Sequence, residues 1–140
     1  DLYAGTGAVG MKALDEGASE VVFVEESRGT ASHLSTLVAR HRCSDRARVI
    51  MKKALSFLEW AEMNHESYDI LFLDPPYHSD EIIRAMTAIG ASSLVRSGGT
   101  VIAEHFARRD MPPAFGMLEK KRDYRYGDSV LTVYEVRSFS

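Results

Sequence analysis

Apolar residues along the chain fall into short β-branched runs separated by stretches with helical spacing. Val21–Val24 is four consecutive apolar residues, too few for a helix and suited to a strand. In 30–40, Ala31, Leu34, Leu37 and Val38 recur at three- and four-residue steps, which predicts a helix. Residues 48–51 read as a short strand. Residues 55–63 read as a second helix with Leu55, Leu58 and Ala61 along one side. The run 69–73 is apolar almost without alternation, so a strand buried on both faces is expected. Residues 81–94 are expected to be helical and closed by Ser97-Gly98-Gly99, with 100–103 as the next strand. Two extended runs, 118–124 and 130–136, flank Tyr126-Gly127-Asp128-Ser129, the pattern of a β-hairpin. Strands alternating with helices predict a parallel sheet with right-handed crossovers, here given an antiparallel ending by the hairpin.

At 140 residues the chain is expected to be one domain, 1–140. An apolar fraction of 45% is enough for a core that needs no disulfide or metal staple. A lone cysteine, Cys43, excludes an internal disulfide, and a reducing, cytoplasmic compartment is the expectation. Val21–Val24 and Ile70-Leu71-Phe72-Leu73, four residues each, are too short to cross a bilayer, so no membrane association is expected. No signal peptide is visible. The first residues, Asp1-Leu2-Tyr3, read as the end of a strand that begins upstream.

A net charge of −3 argues against a protein that coats nucleic acid. The charge is uneven, however. Arg40, Arg42, Arg46, Arg48, Lys52 and Lys53 cluster against Asp45 alone, and Lys120, Lys121, Arg122 and Arg125 form a second group. Each group reads first as a solvated face and second as a nucleic-acid contact. His33, His41, His65, His78 and His105 show no metal-ligand spacing, so no metal is expected. Among them His78, next to Tyr77, is a candidate on the substrate side.

Gly5-Thr6-Gly7-Ala8-Val9-Gly10 follows a strand end and opens a helix. Its glycines let the backbone turn tightly and approach a ligand, and the helix start offers unpaired N–H groups. Eighteen residues after Gly7 stands Glu25, at the end of the next strand, where a carboxylate can accept from both hydroxyls of a ribose. The loop indicates a nucleoside cofactor without choosing between NAD and S-adenosylmethionine.

Asp74-Pro75-Pro76-Tyr77 follows the apolar strand 69–73. Two prolines fix the backbone and remove two donors, leaving the Asp74 carboxylate and the Pro75 carbonyl as rigid acceptors beside an aromatic ring. Such a set suits the exocyclic amine of a base. Acceptors on its hydrogens draw the nitrogen toward tetrahedral geometry and free its lone pair, while Tyr77 stacks on the base. With an activated sulfonium methyl as electrophile, positioning is the main requirement.

Together, Asp1–Gly10, Phe23-Val24-Glu25, Phe72–Tyr77 and Tyr126-Gly127-Asp128-Ser129 resemble the bacterial 16S rRNA guanine-N2 methyltransferases across essentially the whole chain. The resemblance implies an α/β, Rossmann-like class I methyltransferase fold. Its mostly parallel seven-stranded sheet would carry helices on both faces and end in a C-terminal antiparallel hairpin. It implies transfer of methyl from S-adenosylmethionine to N2 of a guanine in small-subunit rRNA, leaving S-adenosylhomocysteine. It places Asp1, Ala4, Gly5, Thr6 and Gly7 against the methionine and ribose of the cofactor, and Glu25 on the ribose. Asp74, Pro75, Pro76 and Tyr77 would hold the amine, Asp74 also facing the cofactor. Where the family carries an aspartate toward adenine, this chain has Lys53, which offers only donors, followed by Ala54, whose N–H can serve adenine N1. The family also carries a basic segment before the first strand that helps bind RNA. Tyr77, His78, Arg108, Arg109, Lys120, Lys121 and Arg122 are the RNA-contact candidates. The expected partner is 16S rRNA or the assembling small ribosomal subunit, met by a monomer. Three alternatives stay open: an amino methyltransferase for adenine in DNA or RNA, an NAD-dependent oxidoreductase, and a non-catalytic RNA-binding factor.

Overall fold

Burial of all four side chains explains the first strand, β1 (Val21–Val24). A computed structural model describes residues 1–77 and 79–137, which fall into two compact units, Asp1–Phe57 and Leu58–Ser140. In the first unit β1 pairs in parallel with β2 (Ala47–Ile50). Leu2 makes an isolated parallel bridge to Val24.

Helices α1 (Ala8–Asp15) and α2 (Arg28–Arg40) contribute Leu14, Leu34 and Val38 to one core cluster with Val21, Phe23 and Cys43. Gly10 permits the close approach of α1, because a Cβ there would lie 2.3 Å from the Phe23 ring. Ser27 caps α2 by accepting from the Thr30 N–H. Part of the first basic cluster is spent inside the unit: the Arg46 guanidinium donates to the Leu14 and Ala18 carbonyls, and that of Arg48 to Glu20.

The helix α3 (Ala54–Met63) carries the boundary at Phe57 and Leu58. The second unit adds β3 (Tyr68–Leu73), α4 (Glu81–Gly90), β4 (Val95–Phe106), β5 (Ala114–Phe115), β6 (Leu118–Tyr126) and β7 (Ser129–Val136). Its sheet has the order β3-β4-β7-β6-β5. Only β3 and β4 pair in parallel, and the other three pairings are antiparallel.

This corrects the expectation of one mostly parallel seven-stranded sheet. The strands divide into a parallel pair and a mixed five-stranded sheet. The hairpin accounts for the mixture, since β7 lies next to β4 and runs against both β4 and β6. β5 was not foreseen, because two residues after Pro112-Pro113 carry no periodic signal.

Two further boundaries moved. α4 stops at Gly90 rather than at 94, because the Ser92 hydroxyl donates to the Ile89 carbonyl and accepts from the Leu94 N–H, an alternative to helical pairing. Ser97-Gly98-Gly99 lies inside β4, at an irregularity where the register with β3 shifts. For the same reason β3 is not buried on both faces throughout. Ile70 is 62% exposed, and Asp69 bonds Arg96 at the solvated start of β4; full burial is confined to Leu71 and Leu73.

Candidate active site

Asp1 and the loop that follows are tied together by backbone donors. Asp1 Oδ2 accepts from the Gly10 N–H in the first turn of α1 at 3.1 Å, where a carboxylate also complements the helix dipole. Tyr3, Gly5 and Gly7 all have left-handed backbones, with φ of 63°, 54° and 80°. The Gly7 N–H closes the turn onto the Ala4 carbonyl at 2.9 Å. At Gly5 a Cβ would find nothing nearer than the Tyr3 carbonyl at 3.9 Å, so the space over this residue is open. Ala4 is buried and Thr6 exposed.

Glu25, at the end of β1, accepts from the Gly5 N–H at 3.1 Å through Oε1 and from the Ser27 N–H at 2.8 Å through Oε2. Each of its oxygens keeps a second acceptor direction, which is what a vicinal diol requires. The first unit thus brings together Asp1, Ala4, Gly5, Thr6, Gly7 and Glu25 as a glycine cradle beside a fixed carboxylate. A nucleoside with a free ribose diol fits this donor and acceptor set. Lys53 is exposed, with its carbonyl accepting the Phe57 N–H, and Ala54 is buried at the first position of α3.

In the second unit the end of β3 delivers Asp74, followed by buried Pro75, exposed Pro76 and half-buried Tyr77. The carboxylate of Asp74 faces that of Glu104 on β4. Asp74 is pushed up to about 6 by its burial first, and then by the charge of Glu104 and a hydrogen bond with it. The Tyr77 hydroxyl donates to Glu104 Oε2 at 3.2 Å and shares a second 3.2 Å hydrogen bond with Ser129 Oγ. Its ring stands 4.2 Å from that of Phe106, tilted by 48°.

Glu104, Phe106 and Ser129 were not among the expected site residues. The sequence predicts a strand over 100–103, although Thr100, Ile102, Glu104 and Phe106 continue the same alternation through β4. An acidic residue at a strand end was the available signal. Leu131 pairs with Glu104 and Ser129 with Phe106. Beyond them Tyr124 pairs with Leu131 and Tyr126 with Ser129, and Arg122 stands two residues back on β6. Paired residues share a sheet face, so Glu104, Phe106, Tyr124 and Tyr126 lie on one side. The two β6 tyrosines are 44% and 65% exposed.

The RNA candidates divide. Arg122 and Lys121 are exposed, Arg122 donating to the Tyr124 hydroxyl and Lys121 standing 3.9 Å from Glu119. Lys120 is half-buried and Arg108 exposed. Arg109 is drawn into the protein, donating to the Ser79 carbonyl at 2.9 Å, where it braces the turn after Tyr77. His78 lies outside the described residues. His105 is buried, with its ring 2.6 Å from the Thr132 hydroxyl, which in turn donates to Asp123. Among the described residues no group of three or more His, Cys, Asp or Glu could hold a metal ion, and no helix is long and apolar enough to cross a membrane.

The family described as Conserved hypothetical protein 95 matches residues 1–135. Two relatives named ribosomal RNA small subunit methyltransferase D come from Haemophilus influenzae and Escherichia coli K12. They are 29% identical over 113 residues and 34% identical over 124. These matches cover 80% and 87% of this chain but 57% and 61% of the relatives, so the chain spans about three fifths of their length. Among solved structures, hypothetical protein TTHA0928 of Thermus thermophilus is 32% identical with a TM-score of 0.83, over 97% of this chain and 73% of that one. Mitomycin 7-O-methyltransferase MmcR, 13% identical over 98% of this chain and 48% of its own, has a TM-score of 0.72, a likeness of fold alone.

Proposed function

The chain belongs to the Conserved hypothetical protein 95 family and is similar to relatives named ribosomal RNA small subunit methyltransferase D, and from that footing we propose that it transfers methyl from S-adenosylmethionine to the N2 amine of a guanine in 16S rRNA. The two units work together in this reading as one methyltransferase domain. The observation that carries it is Asp74. Its carboxylate is held at a strand end by two prolines, beside a second carboxylate and a pair of aromatic rings.

When bound, S-adenosylmethionine supplies an electrophilic sulfonium methyl and leaves as S-adenosylhomocysteine. Asp1 and the Ala4–Gly7 turn take the methionine and ribose side, Glu25 accepts from the ribose hydroxyls, and the Ala54 N–H serves the adenine in place of any acceptor at Lys53. Asp74 and the Pro75 carbonyl accept from the two amine hydrogens. As the N–C bond forms, the nitrogen gains positive charge, and the Asp74 carboxylate opposite it takes the released proton on its way to water. Tyr77, packed on Phe106, supports the face of the base. An oxidoreductase would use the glycine loop but leave this acceptor set idle.

Arg122 with Tyr124 and Tyr126 offers charge and stacking surface to the flanking nucleotides, alongside Arg108, Lys120 and Lys121. The substrate is naked 16S rRNA or the assembling small subunit, met by a monomer in the cytoplasm.

The test is incubation of the protein with methyl-labelled S-adenosylmethionine and small-subunit rRNA or particles from cells lacking the gene, followed by nucleoside analysis. Label is expected in N2-methylguanosine; label in adenosine alone would refute the base assignment. Glu25→Ala is expected to weaken S-adenosylmethionine binding by about 1.5–3 kcal/mol, the range for hydrogen bonds to a charged group. Titration calorimetry giving unchanged affinity would remove Glu25 from the cofactor site.

A further inference from the structure

We propose that Glu104 selects the base: its carboxylate accepts the N1–H of guanine while Asp74 and the Pro75 carbonyl accept the N2 hydrogens. The inference rests on the amine-methylation reading above and goes beyond it by assigning the specificity to a residue of β4.

Two carboxylates face each other at Asp74 and Glu104 in a half-buried place, and no cation is bonded to either among the described contacts. Like charges so placed repel. A ligand edge that presents several N–H donors in a row relieves that repulsion.

The edges of the bases differ in this respect. Guanine presents N1–H beside its N2 amine, so consecutive positions all donate. Adenine presents its N6 amine beside a bare N1 lone pair, and cytosine its N4 amine beside a bare N3 lone pair. A second carboxylate next to the amine acceptor therefore matches guanine and sets lone pair against lone pair with the other two. Discrimination of this kind is strong, because the mismatched polar group is left unpaired inside the site.

Glu104 is also held ready for the task. The Tyr77 hydroxyl donates to Oε2 and is itself hydrogen-bonded to Ser129, which fixes the carboxylate beside Asp74, where a donor edge would replace the contact between the two acids. The same tyrosine presents its ring on Phe106. Stacking surface and edge-reading carboxylate are thus fixed by one side chain. Tyr77 is a positioning residue for Glu104 as well as a platform.

The decisive probe is a short unstructured RNA with a single guanine, and the same RNA with 2-aminopurine in its place. 2-Aminopurine keeps the N2 amine but has a lone pair at N1. Single-turnover methylation by the full chain is measured on both, for the unaltered protein, Glu104→Gln and Tyr77→Phe. The unaltered protein should prefer guanine at least tenfold. Glu104→Gln should lower the guanine rate and raise the 2-aminopurine rate, since its amide can donate to the N1 lone pair, so that the preference collapses or inverts. Tyr77→Phe should reduce the preference in the same direction by a smaller factor. Equal slowing of both substrates by Glu104→Gln would overturn the inference and leave Glu104 as a brace for Tyr77, with amine methylation itself intact. Failure of the unaltered protein to label the N2 amine of guanine in these RNAs and in small-subunit particles alike would overturn both.

Discussion

Replacing Asp74 with Ala is expected to slow methyl transfer by about 10²–10³-fold, the cost of one preorganised electrostatic contact to developing charge. The loss should fall on kcat, with S-adenosylmethionine affinity nearly unchanged. The carboxylate acts on a nitrogen that becomes cationic only as the new bond forms, so it contributes more in the transition state than in the ground state. The same residue sets the pH dependence. Burial and then the neighbouring Glu104 push Asp74 up to about 6. Below that value it carries a proton and opposes the amine with a donor, so the single-turnover rate should rise with pH through about 6 and level off above. At pH 5 a group with this pKa is about one-tenth ionised, so the rate there should be roughly a tenth of the plateau. Asp74→Asn keeps an acceptor oxygen that does not titrate. It should retain part of the activity and lose the acid limb. A full rate in Asp74→Ala, or an acid limb that survives in Asp74→Asn, would show that the amine is activated by another group.

The second large effect is on stability. Gly90 is the last residue of α4, and a Cβ there would lie 2.1 Å from the Phe115 carbonyl oxygen and 2.6 Å from its carbon. Gly116, with φ 54°, closes the other side, since its own Cβ would lie 2.3 Å from the Gly90 carbonyl oxygen. That carbonyl accepts the Met117 N–H at 3.0 Å, so helix end and strand turn are pinned together. Helix propensity alone would make Gly90→Ala stabilising by about 1 kcal/mol. The steric term opposes it. The obstacle is backbone, which cannot rotate away, and overpacking of this kind costs about 1–3 kcal/mol or more. The steric term should win, giving a net loss of about 2 kcal/mol and a melting temperature lower by roughly 4–8 °C for a chain of this size. A melting temperature equal to or above that of the unaltered protein would mean that α4 and the turn at Gly116 can separate at little cost.

Much of this protein was legible in the order of its residues. The apolar run Val21–Val24, the three- and four-residue steps of α2 and the Gly-Asp turn of the hairpin are local signals, and each yielded its element to within two residues. The glycine loop and Asp-Pro-Pro-Tyr are likewise contiguous, so the chemistry proposed for them starts from residues adjacent in the chain. What required the tertiary structure was whatever depends on distant pairing. The insertion of β7 next to β4 makes the larger sheet mixed, and nothing in either strand announces it, because a strand's alternation carries no record of its neighbour. The same pairing gathers Glu104, Phe106 and Ser129 around Tyr77, from positions 27 to 52 residues away in sequence. It also decides that Asp74 sits against a second carboxylate. A carboxylate's proton affinity is set by the charges and solvent within a few ångströms of it, and those neighbours come from the fold of the sheet rather than from adjacent residues in the chain.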